Sequence, residues 1–172
     1  MKKEYLGLII VITIVLIVAI TFIIYNQWPY MTGQKIVLAT RPVDPFDPFQ
    51  GQYMQIAYEI SNIEDAKGFN EKDTIYVILK EDEKNVWRKD GISASKPSSG
   101  DYIKGIVKST YGNNLRIEYG IEQYFFQRDA KMPTTNITIE VIVARSGRAK
   151  IVQLLHNGEP IDIQYEKFDI RA

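Results

Sequence analysis

The chain has 172 residues, 45% hydrophobic and 24% charged, a composition that belongs to folded proteins and excludes a disordered one. Lys plus Arg and Asp plus Glu balance at 21 each, so the chain lacks the basic excess that nucleic acid selects, and no nucleic-acid partner is expected. Cysteine is absent, which rules out disulfide frameworks, thiolate metal sites and a cysteine nucleophile and leaves stability to the core.

Residues 6–24 form an apolar run without charge, Pro or Asn. As a helix rising ~1.5 Å per residue, it is long enough to cross a hydrocarbon layer of ~30 Å. A cleaved signal peptide has a shorter apolar region followed by small residues at the cut, whereas Tyr25, Asn26, Gln27 and Trp28 follow here. The run therefore reads as an uncleaved anchor, with Tyr25, Trp28 and Tyr30 suited to an aromatic belt. Lys2 and Lys3 precede it and no charge follows until Lys35, so the positive-inside tendency predicts a single-pass cell-membrane protein with its N-terminus cytoplasmic. The expected organisation is 1–27 as cytoplasmic tip and anchor, 28–34 as connector and 35–172 as one extracytoplasmic β domain.

A first strand is read at Lys35–Thr40, and residues 41–61, RPVDPFDPFQGQYMQIAYEIS, then organise the domain. Proline fixes its own φ and drives the preceding residue out of the helical region, so Asp44-Pro45 and Asp47-Pro48 are extended or turn-forming. In polyproline II geometry Asp44 and Asp47 share an acidic edge, and Phe46 and Phe49 an aromatic one. Past Gly51 a strand alternates, with Met54, Ile56, Tyr58 and Ile60 facing the core and Tyr53, Gln55, Ala57 and Glu59 facing away. Residues 62–73 read as a loop, and Ile75–Leu79, apolar at both parities, as a central strand covered on both faces. Glu81–Asn85 turns into Val86-Trp87-Arg88, a hairpin.

After a loop at Lys96–Gly100, Tyr102–Thr110 alternates around Gly105, which marks a bulge or a close approach. Gly112-Asn113-Asn114 turns into Leu115–Tyr119. In Tyr124-Phe125-Phe126 at least one aromatic face must be buried. Residues 129–136 read as a loop. Ile137, Ile139, Val141 and Val143 alternate, Ser146-Gly147 turns, Ala149–Leu155 returns and Asn157-Gly158 reverses again. Short strands parted by turn signals predict a mainly β fold, one N-terminal transmembrane helix followed by one mostly antiparallel β domain, a sandwich or partly open barrel.

These residues resemble the GDYxxLxY family of membrane-anchored bacterial proteins. In PVDPFDPFQGQYMQIAY, residues 42–58, Gly51, Tyr53 and Tyr58 match the motif, while Ile56 stands in place of its Leu and Gln52 in place of its Asp. Val86-Trp87-Arg88, Tyr102 to Gly105, the run Tyr119-Gly120-Ile121-Glu122-Gln123-Tyr124-Phe125 and the hairpin with Gly147 fall in the order of the family's landmarks. Two departures stand out: Gln52 lacks the motif's carboxylate, and Gln127-Arg128-Asp129-Ala130 replaces an acidic residue and glycine. The resemblance implies no settled biochemical function and, for some members, association with polytopic membrane proteins. It marks Gly51, Tyr53, Tyr58, Tyr119, Gly120, Glu122 and Tyr124, beside the Asp44 and Asp47 edge, as motif or interaction residues.

Sharper chemistry is weighed against plainer roles. Asp44 and Asp47, ~9 Å apart in polyproline II, have the spacing of an inverting carboxylate pair, yet Asp before Pro ordinarily shapes turns. His156 is the lone histidine and sits beside a turn, so clustered His metal sites are excluded. Ser93, Ser95, Lys96, Ser98 and Ser99 supply the parts of a Ser-Lys hydrolase in a turn-like loop without a peptidase context. Tyr53, Tyr119 and Tyr124 suit half-buried strand positions as well as a sugar-stacking platform. No catalytic, cofactor or metal set is therefore expected.

The expected function is a non-catalytic interaction or accessory module at the membrane, with a polytopic membrane partner or a second copy of itself. The alternative is an envelope hydrolase or glycan binder using Asp44, Asp47, Glu59 or Glu122 with the tyrosines. Replacing Gly51 with Ala should cost about 1 kcal/mol, Tyr58→Ala roughly 3 kcal/mol, and Asp44→Ala or Asp47→Ala no more than about 1 kcal/mol. Urea unfolding of a fragment starting at Gly33 ranks the four, and an Asp44 effect as large as that of Tyr58 would contradict a presented acidic edge.

Overall fold

A computed structural model of the chain describes residues 3–41, 53–125, 130–131, 133, 135–161 and 164–165. Asp44, Asp47, Gly51 and Gln52 lie outside them, as do residues 126–129. The apolar run folds as helix α1, Lys3–Thr32. Its segment Gly7–Trp28 is long and apolar enough to cross a membrane, and none of it is buried against the rest of the chain. Polar side chains on α1 turn back onto the helix: Thr13 Oγ1 donates to the Ile9 carbonyl at 2.8 Å and Asn26 Nδ2 to that of Phe22 at 3.0 Å. Such internal bonds are what a helix in an apolar surrounding needs to leave no donor unpaired.

The expected connector at 28–34 is largely helix. Thr32 Oγ1 donates to the Trp28 carbonyl at 3.0 Å, and the helix ends where Gly33, a poor helix former, precedes β1, Gln34–Arg41. A helix already nucleated gains a bond per added residue, so a polar composition alone does not end it.

The rest is mainly β and mostly antiparallel, as the alternation predicts. Strand β1 is followed by β2 (Tyr53–Gln55), β3 (Ala57–Tyr58), a 3-10 turn at Glu59–Ser61 and β4 (Asn62–Ile63). Next come β5 (Thr74–Glu81), β6 (Trp87–Ser93), β7 (Asp101–Tyr111), β8 (Asn114–Glu118) and β9 (Gln123–Phe125). The short β10 (Ala130–Lys131) precedes β11 (Ile137–Val143) and β12 (Ala149–His156), with β13 (Glu159–Pro160) and β14 (Gln164–Tyr165) last. A 10-stranded sheet follows the path β13-β12-β11-β1-β6-β5-β7-β8-β4, with β3 also on β1, and does not close into a barrel. Its one parallel contact, Leu38↔Trp87 between β1 and β6, joins two antiparallel halves. Inward residues of both halves, among them Leu38, Val77, Ile103, Ile117, Ile139 and Val141, form one apolar cluster.

Four expectations change in detail. The single strand expected through Tyr58 is divided, because β2 pairs with β9 whereas β3 pairs with β1. Its parity survives the change of partner, and Met54, Ile56, Tyr58 and Ile60 are all buried. The central strand β5 buries Ile75, Val77 and Leu79 but leaves Tyr76 and Ile78 half-exposed on the far face, where the Tyr76 ring meets that of Tyr102 edge-on at 5.7 Å. The Trp87 hairpin strand runs on to Ser93, and part of the expected loop 62–73 is β4.

Gly105 is a close approach, as its place inside an alternating strand suggests. A Cβ there would meet Ile117 Cγ2 at 2.3 Å and the Tyr119 ring at 3.0 Å. Gly105→Ala should therefore destabilise the domain by about 1–3 kcal/mol, the range of an overpacked core. Thermal unfolding of the full chain in micelles, followed by circular dichroism, measures the loss; an unchanged midpoint would contradict the packing.

Candidate functional site

The motif stretch and the aromatic stretch, far apart in sequence, lie side by side. Strand β2 runs antiparallel to β9 with Tyr53↔Phe125, Met54↔Tyr124 and Gln55↔Gln123, and the Ile56 N–H continues the ladder onto the Glu122 carbonyl at 2.7 Å. Two tyrosines then cross between the stretches. The Tyr58 hydroxyl donates to the Ile121 carbonyl at 2.7 Å, and the Tyr119 hydroxyl to the Ile60 carbonyl at 2.6 Å. Their rings meet edge to face, 6.5 Å between centroids and 84° between planes, the arrangement that brings a positive ring edge to a negative face.

Local sequence explains why Tyr119 is held so well. Gly120 takes φ +79°, reversing the chain after the strand. The Glu122 carboxylate then accepts the N–H of Tyr119 at 2.5 Å and that of Gly120 at 2.9 Å, closing the turn on itself. Glu122 thereby occupies the backbone donors that could otherwise hold an external anion. Tyr58 is fully buried and Tyr119 nearly so. Burial first, and the Glu122 charge second, push both phenols far above their ordinary range, so they remain neutral donors. Buried hydroxyls pledged to backbone carbonyls neither attack nor shuttle protons; they fasten one stretch to the other.

The remaining candidates divide. Tyr124 is half-buried opposite Met54, and Tyr53 contributes its backbone to β2. The sugar platform fails at Tyr119, which is buried because its ring fills the space above Gly105. Glu59 pairs with Arg88, whose Nε also lies 2.8 Å from Asp82 Oδ2. That guanidinium, then the Val86 N–H, hold the Asp82 carboxyl below its usual range. Glu59 and Glu122 are thus engaged by different neighbours and form no free carboxylate pair. Ser93 Oγ donates to the Ser95 carbonyl at 2.7 Å. Lys96, Ser98 and Ser99 line a hollow of about 400 Å³ beside Thr32 and Arg145, and no bond among the described residues joins Lys96 to a serine. His156 is half-buried, its Nε2 3.4 Å from Asn157 Nδ2.

One feature escaped the sequence reading. The turn between β11 and β12 is pinned to β7: the Lys104 N–H donates to the Gly147 carbonyl at 2.8 Å and the Tyr102 hydroxyl to the Arg145 carbonyl at 2.6 Å. Gly147, at φ +83°, sits so close that a Cβ would lie 2.9 Å from Lys104 Cβ. Arg145 and Arg148 on this turn face the C-terminal part of α1 across a hollow of about 530 Å³ lined also by Ile24, Tyr25 and Trp28. Arginines flanking Ser146-Gly147 were visible in the sequence; their place beside the helix was not.

A sequence profile described as GDYXXLXY protein matches residues 15–154. No curated protein and no solved structure matches.

Removing either crossing hydroxyl should leave a buried carbonyl unpaired. Tyr58→Phe and Tyr119→Phe are each expected to cost about 1–3 kcal/mol in urea unfolding. The pH dependence has a definite sign. Both folded-state phenols titrate above the unfolded value of about 10, so their contribution is complete below that pH and falls as pH rises past it, where the unfolded chain ionises first. The double Phe variant should lose stability less steeply between pH 10 and 12 than the parent, roughly the interval in which an ordinary phenol ionises; equal slopes would show the hydroxyls to be solvent-exposed.

Proposed function

The chain belongs to the GDYXXLXY protein family, and from the use it makes of its motif residues we propose that it is a non-catalytic accessory module, anchored by one span and acting on a membrane partner. The observation that carries this reading is the crossing of Tyr58 and Tyr119, which commits the motif's Tyr58 hydroxyl, the Tyr119 hydroxyl and the Glu122 carboxylate to internal bonds. What remains for recognition is surface. Helix α1 offers its whole exposed flank to lipid or to another helix, and β1 begins two residues after α1 ends, at Gln34 after Thr32, which confines the domain to the membrane surface. Such confinement raises the effective concentration of a membrane partner without any new contact. The partner in this reading is a polytopic membrane protein. The N-terminus is cytoplasmic and the β domain extracytoplasmic, an orientation supported by Lys2 and Lys3 before the span and none of their kind after it until Lys35.

Two measurements test the proposal. Protease added to intact spheroplasts of a bacterial host should digest the β domain; cleavage only after permeabilisation would reverse the orientation. Affinity capture of the full chain at native levels in mild detergent should recover a polytopic membrane protein, and recovery of a monodisperse monomer alone would overturn the accessory role.

A further inference from the structure

The geometry points to a binding site for an anionic phospholipid headgroup between the β11–β12 turn and the end of the span. The hollow there has two unlike walls. One is the helix side, where Ile24 and Tyr25 belong to the membrane-crossing segment and Trp28 closes it. The other is the turn, which brings Arg145 and Arg148. Aromatic residues at the end of a span mark the depth of the headgroups, so the arginines meet the bilayer where phosphodiesters lie. No Asp or Glu lines the hollow. Among the described residues neither guanidinium is paired with a carboxylate.

The site is also fixed before any lipid arrives. Besides the two bonds to β7, the turn is closed internally by the Ala144 N–H on the Arg148 carbonyl at 2.9 Å and the Gly147 N–H on the Ala144 carbonyl at 2.8 Å. Arginine presents a planar fork of donors matched to phosphate oxygens, and two such forks on a rigid turn suit one phosphodiester. The acyl chains of that lipid would follow Ile24 down the helix. A zwitterionic lipid carries its own cation into a hollow already holding two, so charge complementarity selects a headgroup of net negative charge.

This goes beyond the accessory role and depends only on α1 lying in the bilayer, not on which face of the membrane bears the domain or which protein is the partner. The test uses the full chain extracted in micelles. Phosphatidylglycerol and phosphatidylcholine are titrated in competition, and lipids retained per chain are counted by native mass spectrometry. The parent should keep one phosphatidylglycerol in strong preference, each arginine contributing roughly fivefold. The pair Arg145→Gln and Arg148→Gln should abolish the preference, Arg145→Lys, which keeps the charge but loses the fork, should keep only part of it, and the exposed Arg116→Gln on β8 should leave it intact. Equal retention of the two lipids, or a preference that survives the double variant, overturns the site as unselective lipid. Loss of thermal stability in the double variant in lipid-free micelles also overturns it, by assigning the arginines to the helix-end carbonyls. Failure of the chain to partition into micelles at all would instead refute the anchor.

Discussion

A buried phenol must find an acceptor, because leaving its hydroxyl unpaired in an apolar core cancels much of what the packing of the ring contributes. Tyr58 and Tyr119 solve this for each other's segments: each donates to a carbonyl two residues from its counterpart, at Ile121 and Ile60. Those carbonyls belong to a loop and to a 3-10 turn, which lie off the main ladders. The reciprocal pair thus ties together parts of the chain that sheet hydrogen bonds leave loose. Shifting either segment by one residue would break both bonds and turn the inward side chains of β2 and β3 outward.

Other features follow from accommodating that pair. Tyr119 can reach Ile60 only because Gly105 leaves room above β7, and it can be aimed there only because Gly120 and Glu122 close the turn beneath it. Strand β2 is then free to pair with β9, while β3 turns to β1, which already has β11 on its other edge and touches β6. Strand β7, packed against Tyr119 through Gly105, also holds the Gly147 turn through Lys104 and Tyr102. The same strand therefore links the tyrosine crossing to the surface beside α1.

Among the described residues, the Tyr58 hydroxyl of the motif is used inside the fold. Tyr58 and Tyr119 fasten the fold from inside, whereas among the described residues the Arg145 and Arg148 guanidinium groups are paired with no carboxylate. On a scaffold fixed from inside in this way, exposed edges and turns are the parts left open to contact.

Features that depend on local pattern are legible in the amino-acid order. The charge-free run at 6–24 makes a helix long and apolar enough to cross a membrane, period-2 alternation at Met54 to Ile60 and at Ile137 to Val143 assigns the inner faces, and Ser146-Gly147 and Asn157-Gly158 place the reversals, since these follow from side-chain direction and backbone sterics within a few residues. Which partners meet is settled in three dimensions. Nothing in residues 53–60 says that β2 takes β9 while β3 takes β1, that Glu122 is a turn closure and Glu59 an arginine partner, or that Arg145 and Arg148 come to rest beside Trp28. Those outcomes depend on contacts between residues distant in sequence, selected jointly by ring volume, the missing Cβ of Gly105 and the need of each buried donor for an acceptor.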